Sequence, residues 1–196
     1  MKLFVMRHPE PIGAAEICYG QSDLDVADDI LAMTAAAIKP QLSGESIDMW
    51  ISSPLQRCSK LAAALSVDHP RGFVTEQRLL EMSFGDWEGV RWDDIDREAF
   101  DTWAEDYINT AAPGGECLTD VALRVENLLA ELREQNHETV VLVAHGGVIR
   151  VMLAHILGIP IQSTWNFTVG YGVLLEFNLG NEQWENTLVA LTPLAI

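Results

Sequence analysis

Four polar side chains far apart in the chain, His8, Arg57, Glu81 and His145, each fall a few residues after an apolar, strand-like run. Arg7 stands immediately before His8, which puts a permanent cation beside a side chain of near-neutral pKa, suited to act as nucleophile or base. Arg57, in the first turns of a helix that follows Ser53-Pro54, adds a bidentate donor for an anion. The N-terminus of that helix adds oriented backbone dipoles of the same sign. His145 is followed by Gly146 and Gly147 at the start of another helix, where the missing side chains let backbone N–H groups approach a ligand closely. Two arginines, two histidines and two helix N-termini around one point describe a phosphate pocket.

Phosphoryl transfer from such a pocket needs a nucleophile, stabilisation of charge on the equatorial oxygens, and an acid for the leaving oxygen. Neutral imidazole can attack phosphorus, and arginines can hold the transferring group. Glu81 is best placed to protonate the leaving alkoxide and then to deprotonate water, with Asp86 and Glu88 as nearby competitors and Phe84 and Trp87 as sources of partial burial. The bland alternatives are hydrogen-bonded core imidazoles for the histidines, a surface helix arginine for Arg57 and a structural ion pair for Glu81. Matching positions at four strand ends favour catalysis over all of them. His69, His137 and His155 read as surface or packing residues.

The segments Arg7-His8-Pro9-Glu10, Ser53-Pro54-Leu55-Gln56-Arg57, Glu81-Met82-Ser83-Phe84-Gly85-Asp86-Trp87-Glu88-Gly89 and His145-Gly146-Gly147-Val148-Ile149-Arg150 together resemble the histidine phosphatase superfamily, also called the phosphoglycerate mutase-like family. Their order and spacing carry the resemblance over nearly the whole chain. The small size and the run Phe84 to Glu88 look most like the α-ribazole phosphatase branch, which removes phosphate during assembly of the cobalamin lower ligand. The resemblance implies His8 as the residue phosphorylated in a covalent intermediate, Arg7, Arg57 and His145 as phosphate ligands, and Glu81 as acid and then base. It implies no metal and no organic cofactor. The first loop departs from the pattern: where many relatives carry Gly, Thr or Ser, and Asn, this chain has Pro9, Pro11 and Ala14. Gly20 by its backbone N–H and Gln21 by its amide are the candidate substitutes, and Gly146 is a further candidate substrate contact.

The elements that must position these residues can be read along the chain. Residues 2–6 are β-prone and apolar on both faces, as in a central covered strand, and Pro9 ends the run. Residues 47–51 form a second strand candidate, after which Ser53 as N-cap and Pro54 at the first helical position predict a helix. Residues 73–77 suggest a short strand. Apolar residues at Leu118, Val121, Ala122, Val125, Leu128, Leu129 and Leu132 make the stripe of an amphipathic helix. Residues 139–144 are the clearest buried strand. Residues 148–157 follow as a helix closed by Gly158 and Pro160, and residues 172–177 and 184–191 as two last strands. Alternating strands and helices predict an α/β fold, a three-layer sandwich with a mostly parallel central sheet and helices on both faces, the last pair antiparallel at an edge. Such sheets bind ligands at the carboxyl ends of their strands, where the four residues converge. The expected organisation is one domain over residues 1–196. Residues 81–120, with Trp87, Trp92, Trp103 and Tyr107, are expected as a small helical and loop cap roofing the crevice, and Trp87 is close enough in sequence to Glu81 to line it.

Composition narrows the partners. The 196 residues hold 12 Lys plus Arg against 29 Asp plus Glu, and the resulting charge of −17 repels nucleic acid and anionic membrane surfaces. Residues 81–120 concentrate acids around Arg91 and Arg97, read as a solvated surface. Cys18, Cys58 and Cys117 are odd in number and unpaired in spacing, which suits reduced thiols in a cytoplasmic protein. The N-terminal apolar run is too short for a signal peptide, and no stretch reaches the roughly 20 apolar residues of a membrane span. The expected partner is a small phosphorylated molecule, with a homodimer admissible. The leading reading is a phosphomonoester hydrolase, with α-ribazole 5′-phosphate as its specific substrate. A phosphoglycerate mutase, or a phosphatase of sugar phosphates or phosphoproteins, is the second reading. Mutase chemistry calls for added cations around a distal phosphate, which a chain so poor in basic residues disfavours. A non-catalytic phosphate sensor is the third, against which the nucleophile His8 and the acid Glu81 both speak.

Overall fold

The two strands that read as apolar throughout, β1 (Lys2–Arg7) and β4 (Thr139–Ala144), lie parallel at the centre of the sheet in the computed structural model, which describes residues 1–193. Residues 194–196, the end of the expected domain, lie outside the described residues. Because successive strand side chains point to opposite faces, Leu3, Val5, Val140 and Leu142 enter one core while Phe4, Met6, Val141 and Val143 enter another. The sheet is completed by β2 (Met49–Ser52), β3 (Val74–Thr75), β5 (Leu174–Asn178) and β6 (Thr187–Thr192), in the order β3-β2-β4-β1-β5-β6. β1 to β4 are parallel, whereas β5 pairs antiparallel with β1 and β6 antiparallel with β5.

Helices α1 (Asp28–Ile38) and α2 (Gln56–Leu65) cover one face, and α4 (Leu118–Glu134) and α5 (Gly146–Leu157) the other. The expected α4 stripe is buried at Leu118, Val121, Val125, Leu128, Leu129 and Leu132, with Ala122 half-buried beside it. α5 ends on Gly158 in the left-handed conformation (φ 64°), the geometry that favours glycine at a helix C-terminus. Between β3 and α4 the chain forms several short 3₁₀ turns and α3 (Arg97–Glu105), capped by the Asp96 carboxylate, which accepts from Ala99 N at 2.9 Å. Trp87, Ile95 and Ala112 of this stretch form an apolar cluster with Cys18 of the loop after β1, and Trp87 and Trp103 stand edge to face at 5.7 Å.

Several boundaries differ from the sequence expectation. α2 begins at Gln56, and Leu55, still extended (φ −64°, ψ 139°), occupies the cap position expected for Ser53. The Ser53 hydroxyl is shared, accepting from Leu55 N at a long 3.4 Å and from His145 Nε2, more distant in sequence, at 2.7 Å. The second strand starts two residues and ends one residue later than expected, and β3 is only two residues long. Trp184 lies in a 3₁₀ turn before β6, where Glu182 and Glu185 form reciprocal backbone caps. α1 has no counterpart in the sequence reading. Among the described residues, no helix is long and apolar enough to cross a membrane.

Candidate active site

The carboxyl ends of β1, β2 and β4 deliver His8, Ser53 and His145 to one point, where the rings of His8 and His145 stand 5.0 Å apart, edge to face. Both histidines are buried. Burial holds each pKa well below the ordinary histidine value. The Arg57 and Arg7 charges push both in the same direction, and His8 does so for His145. Both rings are therefore neutral at physiological pH. His8 Nδ1 lies 2.6 Å from the carbonyl oxygen of Pro9. A carbonyl only accepts, so Nδ1 carries the proton and the Nε2 lone pair is left free to attack. The same logic fixes His145: Nδ1 accepts from Arg57 Nε at 3.3 Å, so Nε2 donates to the Ser53 hydroxyl.

Arg57 is fully buried on the first turn of α2, and no carboxylate is bonded to it among the described residues. Its Nη1 donates to Ser22 O at 2.7 Å and its Nη2 to Gly20 O at 2.6 Å. With Nε on His145, three of its five N–H donors have protein acceptors, and two remain. Arg7 donates Nη1 to Val169 O at 2.7 Å and lies 4.1 Å over the Tyr171 ring, while its buried Nε has no partner among the described residues. Guanidinium donors shielded from water and left without acceptors are costly unless an anion joins them. A phosphoryl group is chemically suited to that role.

Glu81 reaches the same place from a segment without helix or strand. Its Oε1 accepts from Met82 N at 3.0 Å and its Oε2 from Gly147 N, on the first turn of α5, at 3.1 Å. Gly147 is required by that approach, since a Cβ there would lie 2.5 Å from Glu81 Oε1. Gly146 lies against Arg7, where a Cβ would stand 3.4 Å from the guanidinium carbon. The structure thus brings together His8, Arg7, Arg57, Glu81, His145 and Gly146. It directs the two first-loop candidates differently. Gly20 turns its carbonyl to Arg57, and Gln21 Nε2 donates to Glu81 O at 2.9 Å and Glu116 Oε2 at 3.3 Å.

Next to this point opens a cavity of about 300 Å³, lined by Arg7, Glu81, Gly146, Gly147 and Arg150 and by an apolar wall that includes Phe84, Trp103, Tyr107 and Trp165. Trp103 and Tyr107 come from the expected roof, but Trp87 does not line the cavity; it is buried in the aromatic cluster behind. Arg150 lies 3.9 Å over the Trp165 ring and donates to Thr164 O, and Trp165 Nε1 donates to the Tyr107 hydroxyl at 2.6 Å.

Tyr171, Arg124, Arg150 and Trp165 were not singled out in the sequence. Tyr171, between Gly170 and Gly172 at the mouth of β5, packs tilted on His8 at 5.6 Å and shares a 3.0 Å hydroxyl contact with Tyr19, whose phenol burial pushes up in pKa. An aromatic flanked by glycines beside the central strand was the available signal. Cys58 lies with Sγ 3.5 Å from His145 Nε2, and burial pushes its thiol well above the ordinary range, which makes it a packing group and not a nucleophile.

The family model described as the histidine phosphatase superfamily (branch 1) matches residues 3–192. The crystal structure of the α-ribazole phosphatase from Shigella flexneri superposes with a TM-score of 0.86 at 27% identity, over 97% of this chain and 96% of the other. Among curated proteins, phosphoserine phosphatase 1 of Hydrogenobacter thermophilus is 30% identical over 85% of this chain and 81% of its own. The glucosyl-3-phosphoglycerate phosphatase of Mycolicibacterium vanbaalenii is 31% identical over 87% and 80%.

Proposed function

The chain belongs to the histidine phosphatase superfamily and is a phosphatase, and from that premise we propose that it hydrolyses a small-molecule phosphomonoester through a phosphohistidine at His8. The observation that carries this reading is the His8 ring, buried, neutral and with Nδ1 tied to Pro9 O, which leaves the Nε2 lone pair free within reach of the Arg57 and Arg7 charges. In the first half-reaction the Nε2 lone pair forms a bond to phosphorus as the bond from phosphorus to the ester oxygen breaks. The departing oxygen takes its proton from Glu81 as the alcohol leaves. Arg7, the two remaining Arg57 donors and the Gly146 N–H at the start of α5 hold the charge spread over the equatorial oxygens. In the second half-reaction water attacks the phosphohistidine and gives a proton to Glu81. The P–N bond breaks and its electron pair returns to Nε2. His145 is a phosphate-side neighbour whose tautomer is set by Arg57 and Ser53.

For the alcohol portion we propose an uncharged, aromatic group, with α-ribazole 5′-phosphate as the specific substrate. The cavity wall of Phe84, Trp103, Tyr107 and Trp165 supports a planar apolar leaving group, and about 300 Å³ suits a nucleoside-sized moiety. The α-ribazole phosphatase among the structural neighbours supports the same reading. A second reading, a phosphomonoester with a carboxylate such as phosphoserine, is favoured by one observation: Arg150 reaches the cavity with donors beyond the one given to Thr164. The test is kcat/KM for α-ribazole 5′-phosphate, phosphoserine and p-nitrophenyl phosphate on one preparation. A preference of several orders of magnitude for the ribazole ester is expected. Comparable slow rates on all three would discard that substrate and keep the chemistry, and a preference for phosphoserine that disappears in Arg150→Met would establish the second reading.

A further inference from the structure

The Glu81 segment carries its catalytic carboxylate without a helix or strand to hold it, and the surrounding side chains supply the missing restraint. Arg124, on α4, donates Nη1 to Arg78 O at 2.7 Å and Nη2 to Glu81 O at 3.0 Å. The same guanidinium is paired with Glu116, Nε to Oε1 at 3.2 Å and Nη2 to Oε2 at 3.2 Å. Glu116 Oε2 in turn accepts from Ser83 N at 2.9 Å, and Gln21 Nε2 donates to both Glu81 O and Glu116 Oε2. Three backbone points of one irregular segment, Arg78, Glu81 and Ser83, are thereby tied to a single ion pair that is mostly shielded from solvent.

We propose that the Arg124–Glu116 pair, completed by Gln21, is the positioning device that sets where the Glu81 carboxylate meets the leaving oxygen. The proposal rests on the reading of Glu81 as general acid. The planar fork of arginine is what the site uses: its donors run to Arg78 O, Glu81 O and Glu116 at fixed relative angles. A lysine ammonium on a flexible stem cannot reproduce that geometry. Displacement of a positioned acid by about 1 Å costs on the order of 100-fold, and only where the acid is needed. Arg124 touches no reacting atom, so the signature of its loss is selective. Esters with a poor leaving group suffer, and esters whose alcohol departs without protonation do not.

The experiment compares kcat/KM for benzyl phosphate, an alkyl ester, with that for p-nitrophenyl phosphate, in the wild type and in Arg124→Met, Arg124→Lys, Gln21→Met and Glu81→Gln. Arg124→Met is expected to lose about 10- to 100-fold on benzyl phosphate and less than about 3-fold on p-nitrophenyl phosphate. Arg124→Lys should show a selective loss of the same kind, and Gln21→Met a smaller one that keeps the proposal testable if the arginine variants fold poorly. Inhibition by inorganic phosphate should be unchanged in all three. Equal losses on both esters, or none on either, would overturn the positioning role. If Glu81→Gln shows the leaving-group dependence and neither Arg124→Met nor Gln21→Met does, the positioning proposal alone falls. If Glu81→Gln itself shows no dependence, the acid reading falls and takes the proposal with it.

Discussion

Replacement of Gly147 by alanine separates the placement of Glu81 from the stability of the fold. A Cβ at this position would stand 2.5 Å from Glu81 Oε1 and 3.4 Å from its carboxyl carbon, while the backbone has no positive φ that a side chain would strain. The obstructed atom is the far end of a flexible side chain, so the clash is relieved by swinging the carboxylate away by about 1 Å, breaking its bond from Gly147 N. On the stability side, exchanging Gly for Ala inside a helix gains up to about 1 kcal/mol, which for a chain of this size raises Tm by about 2–4 °C. The expected result is a Tm equal to or slightly above wild type, with kcat/KM for an alkyl phosphate reduced about 100-fold. Gly146→Ala is the control: its Cβ would meet the Arg7 guanidinium carbon at 3.4 Å, which a shift of a few tenths of an ångström absorbs, and the loss should stay below about 10-fold. Thermal melts beside steady-state kinetics decide the matter. Full activity in Gly147→Ala would refute the placement of Glu81 against α5, and a collapse of Tm would refute the claim that the side chain yields before the backbone.

Other perturbations reach other parts of the site and fold. Acidification should destabilise the protein from about pH 6.5 downward, because His8 and His145 have native pKa values held below those of the unfolded chain, which therefore binds more protons. The loss is read by denaturant melts between pH 7 and 5.5, and His8→Asn should remove about half of it. A stability that does not change between pH 7 and 5.5 would contradict the neutral buried pair. Gly85→Ala should cost about 2 kcal/mol or more and lower Tm: Gly85 has φ 52° and its Cβ would meet the backbone of Pro113 and Gly114, which cannot swing aside. Arg57→Ala should reduce kcat/KM by at least 100-fold and weaken phosphate inhibition together; unchanged kinetics would remove Arg57 from the site.

Legibility in the sequence followed local physics. β1 and β4 were readable because a strand covered on both faces must be apolar without alternation, and α4 because its stripe repeats at helical spacing. α1 was not: its N-cap is Ala27 with no capping side chain, and its alanine-rich run Ala35-Ala36-Ala37 weakens the contrast between faces. The start of α2 was displaced because Ser53-Pro54 has the composition of a helix start, yet the Ser53 hydroxyl is used by His145 across 92 residues of sequence. Local propensity cannot report a partner that distant. The site residues that lie at strand ends were legible from position. Arg124 was not, since on α4 it reads as an ordinary surface arginine and its acceptors are backbone carbonyls of a remote loop. Gln21 was read toward the substrate and is bonded instead to the segment that bears Glu81.

The covalent role of His8 can be tested by rapid-quench trapping at alkaline pH with a radiolabelled phosphomonoester, followed by peptide mass mapping. The expected result is a base-stable, acid-labile phosphoryl group on His8 that appears before steady state, chases into inorganic phosphate, and is lost in His8→Asn together with turnover. Sustained turnover in His8→Asn, or label on any other residue, would contradict it.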